Sequence, residues 1–175
     1  MIAVLVLAAQ VSYLCPAGDD VVTVYCEAVH ELLHRYGGTV TRIVVIDQTK
    51  LGMLGDLDEQ YAARMLQVTP EAVRNLKAVN LKPVPLPKNL EFESPHIALP
   101  ESDAVSAYQP VPADPPRAGN ILVRLSAISF SADREEALVY GSFTCGGMCG
   151  EGVIVRIVRG PGGWRVARAM MVWIS

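Results

Sequence analysis

ALVYGSFTCGGMCGEGVIVRIVRGPGGWRVARAMMVWI, residues 137–174, is the stretch whose reading decides the fold. Ala137 to Thr144, Val153 to Arg159 and Trp164 to Ile174 are rich in β-branched and aromatic residues, as strands are. The run from Gly160 to Gly163, reading GPGG, is a turn. Upstream, Ile121 to Phe130 reads as another strand, and Ser131 to Glu135 as the turn that leaves it. Strands joined by connections this short lie antiparallel to their neighbours. The C-terminal part is therefore predicted to be an antiparallel meander of about four strands.

Outward from that stretch the chain changes to helical patterning. Cys15 to Asp20 is a turn whose carboxylates are placed to cap a helix. The helix is predicted over Val21–Tyr36, with Val22, Cys26, Val29, Leu33 and Tyr36 on one apolar face. Gly37 and Gly38 end it. Thr39 to Asp47 is a strand and Gln48 to Asp56 a loop. Asp58 to Gln67 is helical in composition. Thr69-Pro70-Glu71 starts a further helix that runs to Val79, with threonine at the cap and proline at the first position. Pro83, Pro85 and Pro87 make the next segment extended but unfit for a central strand. Leu90 to Glu93 is predicted as a short edge strand, and Pro100 to Asp103 as the start of a helical turn reaching Tyr108. Pro110, Pro112, Pro115 and Pro116 form a stiff connector. The expected class is α+β: N-terminal helices covering one face of a C-terminal antiparallel meander, with residues 10–175 as one domain.

Composition narrows the function classes. Hydrophobic residues make up 51% of the 175 and charged residues 19%, which excludes a disordered chain. The net charge is -3. Residues 119–175 hold six basic and four acidic side chains, a balance too small for a nucleic-acid footprint. Ile2 to Ala9 is an apolar run far short of the roughly 20 residues that span a bilayer. It reads as the core of a secretory signal peptide, with Leu7 and Ala9 at the cleavage positions, although no basic residue precedes it. A buried first strand is the alternative, and the chain would then stay cytoplasmic. The preferred location is periplasmic or secreted, with no membrane span.

The four cysteines fall into two local pairs, Cys15 with Cys26 and Cys145 with Cys149, which suits disulfides in an oxidising compartment. Cys145 to Gly152 packs four glycines around the second pair and joins two strands, so a tightly coiled, rigid hairpin is expected. Redox activity is the weaker reading, because the pair lacks both the two-residue spacing and the helix N-terminus that depress a thiol pKa. Cys145, Met148 and Cys149 as a soft Cu(I) site is weaker still. Trp164 and Trp173 are read as sheet packing rather than as a ligand platform.

His30-Glu31-Leu32-Leu33-His34 matches the H-E-x-x-H pattern on a segment that is helical on independent grounds. Positions i and i+4 share a face, so His30 and His34 could hold one zinc while Glu31 polarises the attacking water. A catalytic zinc needs a third protein ligand. Val40 stands where the extended pattern would place a histidine, which leaves Glu59 and Glu71 as candidates. Two boundary histidines on an amphipathic helix are the plainer reading.

Ser129-Phe130, then Ala137-Leu138-Val139-Tyr140, the C-G-x-x-C-G-x-G run at 145–152, Gly163-Trp164 and the end Trp173-Ile174-Ser175 together resemble a set of uncharacterised bacterial proteins. Val45-Ile46-Asp47-Gln48-Thr49 extends the likeness more loosely. The resemblance implies no activity, cofactor or ligand. The strand–glycine–tryptophan ending is also similar to cone-shaped sheets of the NTF2-like or cystatin-like kind, a likeness of fold alone. The function expected is a non-catalytic exported bacterial domain, without cofactor, that binds a small molecule or a protein. The alternative is a small zinc-dependent hydrolase built on His30, Glu31 and His34.

Overall fold

The computed structural model describes residues 15–16, 18–37, 39–50, 54–92, 95–108, 118–146 and 149–175. The apolar run Ile2 to Ala9, Gly38, the connector prolines 110–116, Gly147 and Met148 lie outside the described residues.

Helix α1, Asp20–Tyr36, begins where the Asp19 side chain accepts from the backbone N–H groups of Val21 and Val22. It ends where Gly37 turns left-handed at φ 64°, the conformation glycine supplies without steric penalty. Its buried side is wider than the predicted stripe: Val22, Cys26, Val29 and Tyr36 are buried as expected, Thr23, Val24, Tyr25, Ala28 and Leu32 are buried as well, and Leu33 only partly. Strand β1, Thr39–Ile46, follows. Helix α2, Glu59–Leu66, is capped by Asp58, and α3, Pro70–Val79, by Thr69 with proline in its first turn. Then come β2, His96–Leu99, helix α4, Glu101–Ala107, and the strands β3, Ala118–Leu125, and β4, Ser129–Phe130. The chain ends in β5, Glu136–Gly146, β6, Cys149–Gly160, and β7, Gly163–Ile174.

The α+β class is observed, but the sheet corrects the expected architecture. It has seven strands in the order β2-β1-β3-β5-β6-β7, with β4 beside β5. It is mixed: β1 pairs in parallel with both β2 and β3, while β3 with β5, β5 with β6 and β6 with β7 pair antiparallel. The predicted meander is therefore the second half of a larger sheet. The physical reason lies in β1. Ile43, Val44, Val45 and Ile46 are all buried, and a strand apolar on both sides belongs inside a sheet covered on both faces.

Both faces are covered here. On one, Val29 and Leu32 of α1 pack with Ile43, Val123, Val139, Val153 and Val155. On the other, Leu66, Val73 and Leu76 of α2 and α3 pack on Leu138, Tyr140, Ile154 and Met170. Ala104 of α4 sits with Val44, Ile46 and Leu122. The alternation 138/139/140 sends successive side chains to opposite layers.

Two further expectations are corrected. The edge strand lies at His96–Leu99, because Leu90 and Phe92 turn into the core as loop residues. The strand predicted over Ile121–Phe130 breaks at Ser126. There the serine hydroxyl accepts the Tyr140 N–H at 2.9 Å while the serine N–H donates to the Tyr140 carbonyl at 2.8 Å. A side-chain oxygen standing in for a backbone carbonyl interrupts the ladder.

Candidate functional site

The structure brings together two of the sequence signals that were read separately. Arg35, one residue past His34, donates to Glu31 at 2.7 Å and to Glu151 of β6 at 2.6 Å. The end of α1 is thereby tied to the glycine–cysteine hairpin. Tyr36 meets Phe143 edge-on at 5.7 Å, and Cys145 and Cys149 pack against the same core. Cys145 is bonded to Cys149, and Cys15 to Cys26, with Cα separations of 5.1 and 5.7 Å. Among the described glycines of the hairpin only Gly146 has a positive φ, at 151°. Gly150 and Gly152 are ordinary extended residues of β6.

The zinc candidates are dispersed. His30 is half-buried on α1 and His34 is exposed. Glu31 is engaged by Arg35. Glu59 pairs with Arg74 and Lys77, and Glu71 is exposed on α3, across the sheet from α1. Among the described residues no three His, Cys, Asp or Glu side chains converge as a metal site.

A different place has the make-up of a binding site. Between the start of α3 and the β4–β5 strands lies a cavity of about 300 Å3. Its apolar side comes from Val68, Ala72 and Leu138; Phe130 and Ala137 also border it, but their side chains pack in the α1 layer, and its polar groups include Thr69, Glu71, Asn75, Ser129 and Glu136. An apolar lining with a few polar groups is the usual composition of a small-molecule pocket. Ser129 is the unusual member. The residue is only 7% exposed, its hydroxyl has no hydrogen-bond partner among the described residues, and that oxygen is still reachable by solvent where Ser129 lines the cavity. A hydroxyl that solvent still reaches at the edge of a cavity is free to pair with a ligand group.

The walls are fixed by polar clamps. Asn80, just past the end of α3, donates from Nδ2 to the carbonyls of Leu76 and Ala127 and accepts the Ala127 N–H at 2.6 Å. From the opposite layer the Tyr25 hydroxyl donates to the Ser126 carbonyl at 3.1 Å, and burial pushes that phenol's pKa up. The segment leading into β4 is thus gripped from both sides. At the rim, Ser131 donates to Asp133 at 2.6 Å and holds that carboxyl below its ordinary value. Arg156 donates to Glu136 from Nε at 3.2 Å. Of these residues Ser129, Phe130, Ala137 and Leu138 stood in the pattern carrying the bacterial resemblance, Thr69 and Glu71 in a helix start, and Ser131 and Asp133 in a turn, none of them as part of this cavity. Asn80 gave no signal beyond being a polar residue just past a predicted helix, and Ser126 none beyond being a polar residue inside a predicted strand.

Two other cavities were weighed against this one. One of about 310 Å3 lies by Asp20, Glu27, Arg159 and Trp164, where Asp20 is already bound by Trp164 and by Arg159 and Arg134. A smaller one of about 210 Å3 lies at Asp47, beside the Lys50–Glu101 ion pair.

No family model matches the chain, and no curated protein or solved structure matches it either. Two disulfide-bonded pairs suggest an oxidising, extracytoplasmic location. Among the described residues no helix is long and apolar enough to cross a membrane.

Proposed function

We propose that this chain is a non-catalytic exported bacterial domain, periplasmic or secreted, that binds a small molecule in the cavity between α3 and the β4–β5 strands. The observation that carries the reading is Ser129, a residue more than nine-tenths buried whose hydroxyl is unpartnered among the described residues and lines a cavity of mixed apolar and polar walls. A ligand polar group would satisfy it, while its apolar body replaces water against Ala72 and Leu138.

Benzyl alcohol is a suitable probe, with a small apolar body and one hydroxyl. Titrated into labelled protein and followed by amide NMR shifts, it is expected to move resonances of residues 68–75 and 129–138. A fragment of this size binds in the millimolar range, roughly. Ser129→Ala should weaken it roughly 2- to 10-fold, the share of one hydrogen bond. Shifts scattered elsewhere, or none at all, would sink the reading.

A further inference from the structure

We propose that this cavity selects its ligand by charge, taking small amines with an apolar body in preference to neutral analogues and rejecting carboxylates; the inference rests on the binding reading above.

The lining residues carry the argument. The cavity is bordered by two carboxylates, Glu71 and Glu136, and by no basic side chain. Glu136 already shares its charge with Arg156. Glu71 has no ion pair among the described residues and stands in the first turn of α3. A carboxylate in that turn is favoured by the helix dipole, and no described cation neutralises it. An incoming carboxylate would meet that charge at short range and be repelled, by the modest amount that exposed like charges show. An ammonium group would gain a charge-assisted hydrogen bond. The Ser129 hydroxyl is an acceptor for the same N–H donors, and it supplies a second contact independent of the acidic rim. The nearest cation to the Phe130 ring, Arg134, stacks on it at 4.2 Å and also reaches Asp20 at 3.5 Å. It is held by those two contacts on the side of the strand pair away from α3, and the cavity gains no positive counter-charge from it.

Benzylamine, benzyl alcohol and benzoate share one ring and differ in charge, so together they separate the class of ligand from the existence of the site. By NMR titration at low salt, benzylamine is expected to bind roughly 2- to 5-fold more tightly than benzyl alcohol, the scale of one partly exposed ion pair. Benzoate is expected to leave residues 68–75 and 129–138 unmoved. Glu71→Gln lies on an exposed helical turn and should bring the ratio of benzylamine to benzyl alcohol affinity toward one, whatever it does to the two affinities together. Raising salt should shrink the same advantage in the native protein. Equal affinity for all three probes, tighter binding of benzoate, or an amine advantage that survives Glu71→Gln would overturn the charge selection and leave the binding site standing. Failure of all three to move those amides would overturn the binding site itself, and the selection with it.

Discussion

The indole of Trp173 occupies the space where a side chain on Gly152 would stand: a Cβ there would lie 2.7 Å from Cδ1 and Cε2 of the ring. Gly150, two residues earlier, would bring its Cβ to 3.2 Å from the same indole. The ring cannot easily withdraw, because its Nε1 donates to the Tyr140 hydroxyl at 2.8 Å. The glycines of the C-G-E-G run therefore serve close packing of the last strand, and the hairpin's shape and the C-terminal tryptophan are one feature. Gly152→Ala should destabilise by about 1–3 kcal/mol through overpacking. Adding Trp173→Ala should recover part of that loss relative to Trp173→Ala alone, and a double-mutant cycle by urea denaturation measures it. Additive costs would show that the two residues do not share the space.

Asn80 should be the most sensitive polar residue at the cavity wall. It is 5% exposed and its amide serves three backbone groups. Asn80→Ala leaves the N–H and carbonyl of Ala127 buried without partners, a cost of about 2–3 kcal/mol. Hydrogen exchange at the Ala127 amide should accelerate more than exchange in β6. Unchanged protection there would show that the clamp is dispensable.

The helices were largely legible because their ends are written locally. Asp19, Asp58, Thr69 and Gly37 are capping residues whose chemistry depends on a few neighbours. The last three strands were legible for a similar reason, since GPGG and the β-branched runs fix a hairpin without distant help. What the sequence concealed is non-local. The pairing of β1 with β3 joins segments about 80 residues apart in the chain, Ile43 beside Ile121, and no local pattern announces a parallel crossover. The two-sided burial of Ile43 to Ile46 was present as an unbroken apolar run, and reading it as a strand buried on both faces would have shown that one helical layer is not enough. The cavity was concealed for another reason. Ser129 is a small polar residue in a short strand, and only its three-dimensional isolation from other donors and acceptors marks it.

The two disulfides should contribute unequally. The bond between Cys15 and Cys26 spans 11 positions and that between Cys145 and Cys149 spans 4. By loop entropy alone the first contributes about 3 kcal/mol and the second about 2 kcal/mol, with strain lowering either. Cys15→Ala with Cys26→Ala should therefore lower the melting temperature more than Cys145→Ala with Cys149→Ala. Alkylation of the protein isolated from its native compartment should label no cysteine until a reductant is added. Rapid labelling of Cys145 and Cys149 beforehand would contradict the disulfide reading of the hairpin.

Glu27 gives a pH dependence whose sign opposes that of its neighbour Asp20. It is half-buried on α1 and lines the cavity beside Trp164. Burial raises its pKa above the ordinary 4.5, against smaller lowering contributions from His30 and from the Val166 backbone N–H. Folding therefore favours its protonated form, so the ionised carboxylate is a penalty that is full above the folded pKa and fades as pH falls toward 4.5. Asp20 behaves in the opposite way. The Trp164 indole N–H, with Arg159 and Arg134, holds its pKa below 3.8, and the stability it gives is lost only as pH falls beneath that value. The remaining groups facing Glu27 in the cavity are Thr23, whose hydroxyl is spent on the carbonyls of Pro16 and Asp19, and the Arg159 guanidinium. Glu27→Gln should thus be more stable than the native chain at pH 8, with the difference vanishing near pH 4.5. Urea midpoints for the two proteins across that range test it, and a glutamine variant less stable at pH 8 would show that the carboxylate is paired rather than merely buried.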